Sequence, residues 1–138
     1  MELAVSQWTN AVTGLVGQGN PLAVGCFLQP PVRSPAEGAW SLVSRIAGGG
    51  GLVAEDGLVT TARMQWDVYC DDEVAAERAA AAIARAVETL TGAPQAAGDG
   101  MAVLVHDNLA GPVYVPQPAS TDEPYLFQVQ ADLVLAPT

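Results

Sequence analysis

The chain has 138 residues, half of them hydrophobic and only 14% charged, with 15 Asp plus Glu against 5 Lys plus Arg and a net charge of -10. That length suits one domain with a two-layer core that needs no disulfide or metal to fold. The acid excess is the reverse of a nucleic-acid binder's footprint, and the low charge, against about 25% in an ordinary soluble domain, leaves surface suited to contact with other protein.

All the cations are arginines. Met1-Glu2-Leu3 lacks the positive start of a signal peptide, and no apolar run reaches the ~18 residues of a spanning helix. No basic amphipathic helix for a membrane surface is present either. The expected site of synthesis is therefore the cytoplasm. Cys26 and Cys70 lie far apart inside apolar segments, without Cys-x-x-Cys spacing and with a single histidine in the chain. They read as buried, reduced thiols.

Val5, Trp8, Val12 and Leu15 recur at helical spacing before Gly17 and Gly19, which predicts an amphipathic helix over 2–16. Residues 22–28 form a short apolar strand that stops at Gln29-Pro30-Pro31, because consecutive prolines donate no ladder hydrogen bond. A loop over 32–38 leads to a second strand at 40–46, where Trp40, Leu42, Ser44 and Ile46 alternate with Ser41, Val43 and Arg45.

Residues 47–59 carry four consecutive glycines, Gly48 to Gly51, and read as a long Gly-rich hairpin loop, since glycine loses much backbone entropy on ordering. Its apolar Leu52-Val53 pair suggests that the loop orders against a partner. Thr60–Cys70 is the third strand. A helix over 72–90 follows, with Ala76, Ala79, Ile83, Val87 and Leu90 on one stripe.

Residues 91–100 read as loop, 101–106 as a strand, Asp107-Asn108 as a turn, and 111–115 as another short strand. The closing strand is the clearest, with Phe127, Val129, Ala131, Leu133 and Leu135 alternating against Gln128, Gln130, Asp132 and Val134. The order of elements predicts an α+β fold: a mainly antiparallel mixed sheet with two helices packed on one face.

No residue constellation specifies catalysis or a cofactor. Asp67, Asp71, Asp72, Glu73 and Glu77 could in principle bind a divalent cation through carboxylate oxygens, but Asp71-Asp72-Glu73 also supplies the cap and first-turn acids of a helix start. His106 and Asp107 are sequence neighbours that a strand would point to opposite faces, so His106 reads as a solvated turn residue. The glycine run has no adjoining Lys-Ser/Thr and is not a phosphate loop. The chain is expected not to be an enzyme, and to hold no cofactor and no metal.

The run Ala62-Arg63-Met64-Gln65-Trp66-Asp67-Val68-Tyr69-Cys70, followed by Asp71-Asp72-Glu73 and an alanine-packed helix, resembles the tail terminators of long-tailed bacteriophages. The first helix, the Gln29-Pro30-Pro31 loop and the closing strand extend the likeness over most of the chain. The resemblance implies a virion structural protein, a homohexamer ring that caps the tail tube at the head-tail junction and provides the surface joined by head-completion proteins. The implied partners are further copies, the tube protein and a head-completion or connector protein, with DNA only as passing genome in the lumen. An acidic ring suits such a conduit, since carboxylates repel phosphates. Rival readings are another neck or connector protein of the virion, or a small cytoplasmic ligand-binding α+β domain.

Alternation along the Thr60–Cys70 strand puts Met64, Trp66, Val68 and Cys70 on one face and Arg63, Gln65, Asp67 and Tyr69 on the other. The Trp66 face is expected to be core. The opposite face, with Gln128, Gln130 and Asp132 of the closing strand and with Leu52 and Val53 of the glycine loop, is the expected interface, since Arg and Tyr are enriched at such surfaces, and Arg63 is therefore expected to be dispensable for the stability of the subunit.

Overall fold

A computed structural model describes residues 1–13, 24–31, 38–46, 59–117 and 124–138. Among these lie α1 (Glu2–Thr13), β1 (Gly25–Phe27), β2 (Trp40–Arg45), β3 (Thr60–Cys70), α2 (Glu73–Glu88), β4 (Thr91–Gly98), β5 (Met101–Val115) and β6 (Tyr125–Pro137). The strands form one sheet in the order β1-β2-β3-β6-β5-β4, parallel only between β1 and β2. The fold is α+β with a mixed sheet. The glycine loop at 47–58, with Leu52 and Val53, lies outside the described residues.

The central pair follows the sequence pattern. β3 and β6 run antiparallel without a register break from Thr60↔Leu135 to Cys70↔Tyr125, so their apolar sets share one face. Met64, Trp66, Val68, Val129, Leu133 and Leu135 are fully buried there. The Trp66 indole N–H donates to Thr9 Oγ1 of α1 at 3.0 Å, so the one polar atom of this large side chain is satisfied inside the core.

α2 begins where Asp72, in an extended conformation, accepts from the Ala75 N–H, giving an N-cap to a helix whose first turn carries Glu73. Ala76, Ala79, Ile83, Val87 and Leu90 are all buried, as their spacing predicted. Their small average size lets α2 lie close over β3, β6 and β5.

The buried side of α1 differs from the predicted stripe. Ala4, Val5, Trp8 and the polar Ser6 and Thr9 are buried, whereas Val12 is exposed. The reason is that α1 meets both edges of the sheet, β1 and β4. Asn10 lies against β1 like a further strand residue: the Cys26 N–H donates to its Oδ1 at 2.7 Å and its Nδ2 donates to the Cys26 carbonyl at 3.1 Å. Ser6 Oγ gives the same carbonyl a second donor at 2.8 Å. On the far edge, Trp8 Nε1 donates to Gln95 of β4 at 3.1 Å.

Residues 91–98, expected as loop, form the edge strand β4. Gly, Ala and Pro have low strand propensity and no alternating pattern, so pairing with β5 and packing against α1 impose the extended form. The hairpin turn is Asp99-Gly100, both with positive φ (50° and 70°), the geometry of a type I′ turn. Asp107-Asn108 is not a turn between two strands either. It lies in the continuous strand β5, at a register break between Asp107 and Ala110, with Asn108 at φ 53°. At Gly111, φ is 105° and a Cβ would strike the Gln128 carbonyl, so only glycine fits this second irregularity.

Trp66→Ala is expected to destabilise the subunit by about 3–5 kcal/mol in urea unfolding, the usual cost of emptying a large aromatic site. Asn10→Ala should cost about 1–3 kcal/mol, because the Cys26 N–H loses its acceptor while its carbonyl keeps only Ser6. A change under ~0.5 kcal/mol for Asn10→Ala would show that water replaces the side chain at this edge.

Candidate functional site

Neither helix packs on the reverse face of the sheet among the described residues, and that face carries an ordered polar array. Because β3 and β6 stay in register, Arg63 sits opposite Asp132, Gln65 opposite Gln130, Asp67 opposite Gln128 and Tyr69 opposite Leu126. Arg63, Gln65, Asp67, Tyr69, Gln128 and Gln130 are each half-buried.

The hydrogen bonds run in one direction. Gln130 Nε2 donates to Gln65 Oε1 at 2.8 Å, and Gln65 Nε2 donates to Asp67 Oδ1 at 2.9 Å. Gln128 Nε2 donates to the same Asp67 oxygen at 2.9 Å. An ionised carboxylate can only accept, so both neighbouring amides must point their nitrogens at Asp67. Gln128 and Gln130 thus enter the network through their nitrogens, not their carboxamide oxygens.

Next to it, Arg63 grips Asp132 through Nε–Oδ1 at 2.9 Å and Nη2–Oδ2 at 3.3 Å, and Asn108 Nδ2 adds a donor to Oδ2 at 2.9 Å. The hydrogen bond that Arg63 donates to Asp132 raises the Arg63 pKa above its ordinary value, so the guanidinium stays charged throughout. Asp132 is only 4% exposed while Arg63 is 31% exposed. This corrects the expected role of the pair: Asp132 is enclosed within the subunit, and Arg63 neutralises it, so Arg63 is part of the structure of the subunit as well as of its surface.

Tyr69 lies flat against Trp40, with ring centroids 4.4 Å apart and planes 18° apart. Trp40 and Leu126, buried on this face beside Tyr69, were not among the residues singled out from sequence. Asn108 was also missed, because its reach to Asp132 depends on the register break of β5 that begins after Asp107, which no local pattern encodes.

The remaining chemical candidates do not converge. Among the described residues, no group of three His, Cys, Asp or Glu side chains could hold a metal ion. His106, expected in a turn, is a half-buried residue of β5 opposite Leu133, with its Nδ1 buried and without a partner. Cys26 and Cys70 are free and buried. Burial pushes the Cys26 thiol up from 9.0 to about 11, against the smaller opposing effect of the hydroxyls of Ser6, Ser41 and Thr9.

No protein-family model matches the chain, and no curated relative matches it.

The asymmetry of the Arg63–Asp132 pair gives a test. Arg63→Ala should lower the melting temperature more than Asp132→Asn does, because only the former strands a buried carboxylate. Equal shifts would mean that Asn108 and solvent suffice to hold the charge.

The Cys26 thiol should resist maleimide labelling near neutral pH unless the protein unfolds. Since its folded pKa lies above the unfolded one, its contribution to stability is complete below pH 9.0 and is lost as pH rises toward about 11. Rapid labelling of native protein at pH 7 would contradict this enclosure.

Proposed function

We propose that this chain is a structural subunit of a phage virion, a tail terminator that assembles into a ring on the end of the tail tube and offers the joining surface for head-completion proteins. The observation that carries the proposal is the helix-free face of β3 and β6, where Gln65, Asp67, Gln128 and Gln130 form a preorganised, one-directional network. Such side chains have little rotamer freedom left to lose on association, which favours a surface built for contact.

The likeness of the 62–73 segment and its alanine helix to tail terminators supplies the particular assembly, and the composition agrees with it. A domain that is 50% hydrophobic and 14% charged suits a subunit whose surface is largely covered by copies of itself. The net charge of -10 suits a passage through which DNA slides without sticking. Under this reading the oligomer is a hexamer, its site is the head-tail junction, and its work is mechanical, without a cofactor.

Mass photometry at micromolar protein, with and without tail-tube protein, tests the proposal. A discrete ring-sized species in either condition is the expected result. A strict monomer in both would remove the ring, and with it the terminator role.

A further inference from the structure

Two surfaces of the molecule carry charge that the described residues leave uncompensated, and they lie on opposite sides of the sheet. The first is the solvent side of α2. Arg78 and Arg85 are both exposed, and neither takes part in an ion pair among the described residues. Seven residues apart, they lie nearly in line along the helix, about 10.5 Å from one another along its axis. Val74, 53% exposed, stands roughly 20–40° round the axis from the arginines, Ala81 roughly 40–60°, and Glu88 and Glu77 roughly 60–100° in the same direction. One flank of the exposed helix is thus cationic, with a small residue between its two arginines.

The second surface is the network on β3 and β6. Asp67 accepts from Gln65 and Gln128, both neutral, and no cation reaches it among the described residues. Arg63, four places back along β3, is committed to Asp132. Gln128 and Gln130 use their amide nitrogens within the same network, which leaves their carbonyl oxygens as acceptors beside the Asp67 carboxylate. A guanidinium has only donors, several of them in one plane, and is the side chain that such a surface fits.

We propose that copies of this chain stack helix on sheet, with Arg78 and Arg85 of one copy docking over Asp67, Gln128 and Gln130 of the next. This rests on the ring reading and names the two surfaces that would meet. Because α2 and the outer sheet face lie on opposite sides of one subunit, the contact is head-to-tail, the kind that gives a ring when its rotation closes and an open filament when it does not. It also places cations on carboxylate at the joint of a subunit whose net charge of -10 otherwise opposes association. Ala81 lets the helix come close to a flat sheet.

Charge exchange tests the contact. Native mass spectrometry and sedimentation velocity would compare the wild type, Asp67→Arg, the double variant Arg78→Glu/Arg85→Glu, and the triple variant combining all three. Asp67→Asn, which keeps an acceptor for the two glutamines, controls for folding, and thermal unfolding follows every chain. The two one-sided charge reversals should remain folded and need about tenfold or more protein to reach the wild-type assembled fraction. The triple variant, in which every joint carries the reversed pair, should recover assembly.

Variants that assemble like the wild type would overturn the contact while leaving the ring in place. A folded triple variant that fails to recover would also overturn it, since the charges would then not face each other. A wild-type chain that stays monomeric, alone and with tube protein, would sink the ring reading and this contact together.

Discussion

The structure depends on α1 standing between the two edges of the sheet. β1 and β4 are the outermost strands, yet one twelve-residue helix packs against both. Asn10 and Ser6 satisfy the backbone of Cys26 on one edge, the Trp8 indole reaches Gln95 on the other, and Thr9 receives the Trp66 indole from the middle of the sheet. A sheet touched at both edges by the same helix must curl around it. The polar residues buried in α1 follow from this position, because exposed strand edges need donors and acceptors as well as apolar contact.

That closure decides what is left for recognition. The β1 edge is occupied by a side chain that mimics a strand, and β5 carries bulges, Gly111 and Pro112 where it runs past the end of β4. These are features that discourage another strand from adding. Helices cover the concave side. Among the described residues the outer face of β3 and β6 and the solvent side of α2 remain, and these two surfaces differ in charge. Polar order on the outer face has a physical origin in the unbroken β3–β6 register, which puts each glutamine opposite a partner it can bond.

Arg63 shows how one residue can serve fold and surface together. Its neighbours in sequence, Gln65 and Asp67, lie two and four places along the same face, but only Arg63 neutralises a carboxylate that is almost fully enclosed. Removing a charge from the rim of an interface usually alters association, whereas removing the partner of a buried charge alters the subunit. The same face therefore contains an internal clamp at Arg63–Asp132 and, beside it, a network of glutamine amides around the Asp67 carboxylate.

The sequence by itself determined the two central strands, α2 and which face of each is core, because alternation with period two and a buried stripe with period 3.6 are local properties of the chain. It also determined which residues share the outer face, since Gln65, Asp67, Gln128 and Gln130 follow from the same alternation. Residues 91–98, rich in Gly, Ala and Pro, have no strand pattern of their own. Only the tertiary structure decided that residues 91–98 become an edge strand, that Asp107-Asn108 is a bulge, and that Asp132 is enclosed by Arg63 and Asn108. Those outcomes depend on strand order, register and the closure by α1, which join residues far apart in the chain and leave no mark in any short window of it.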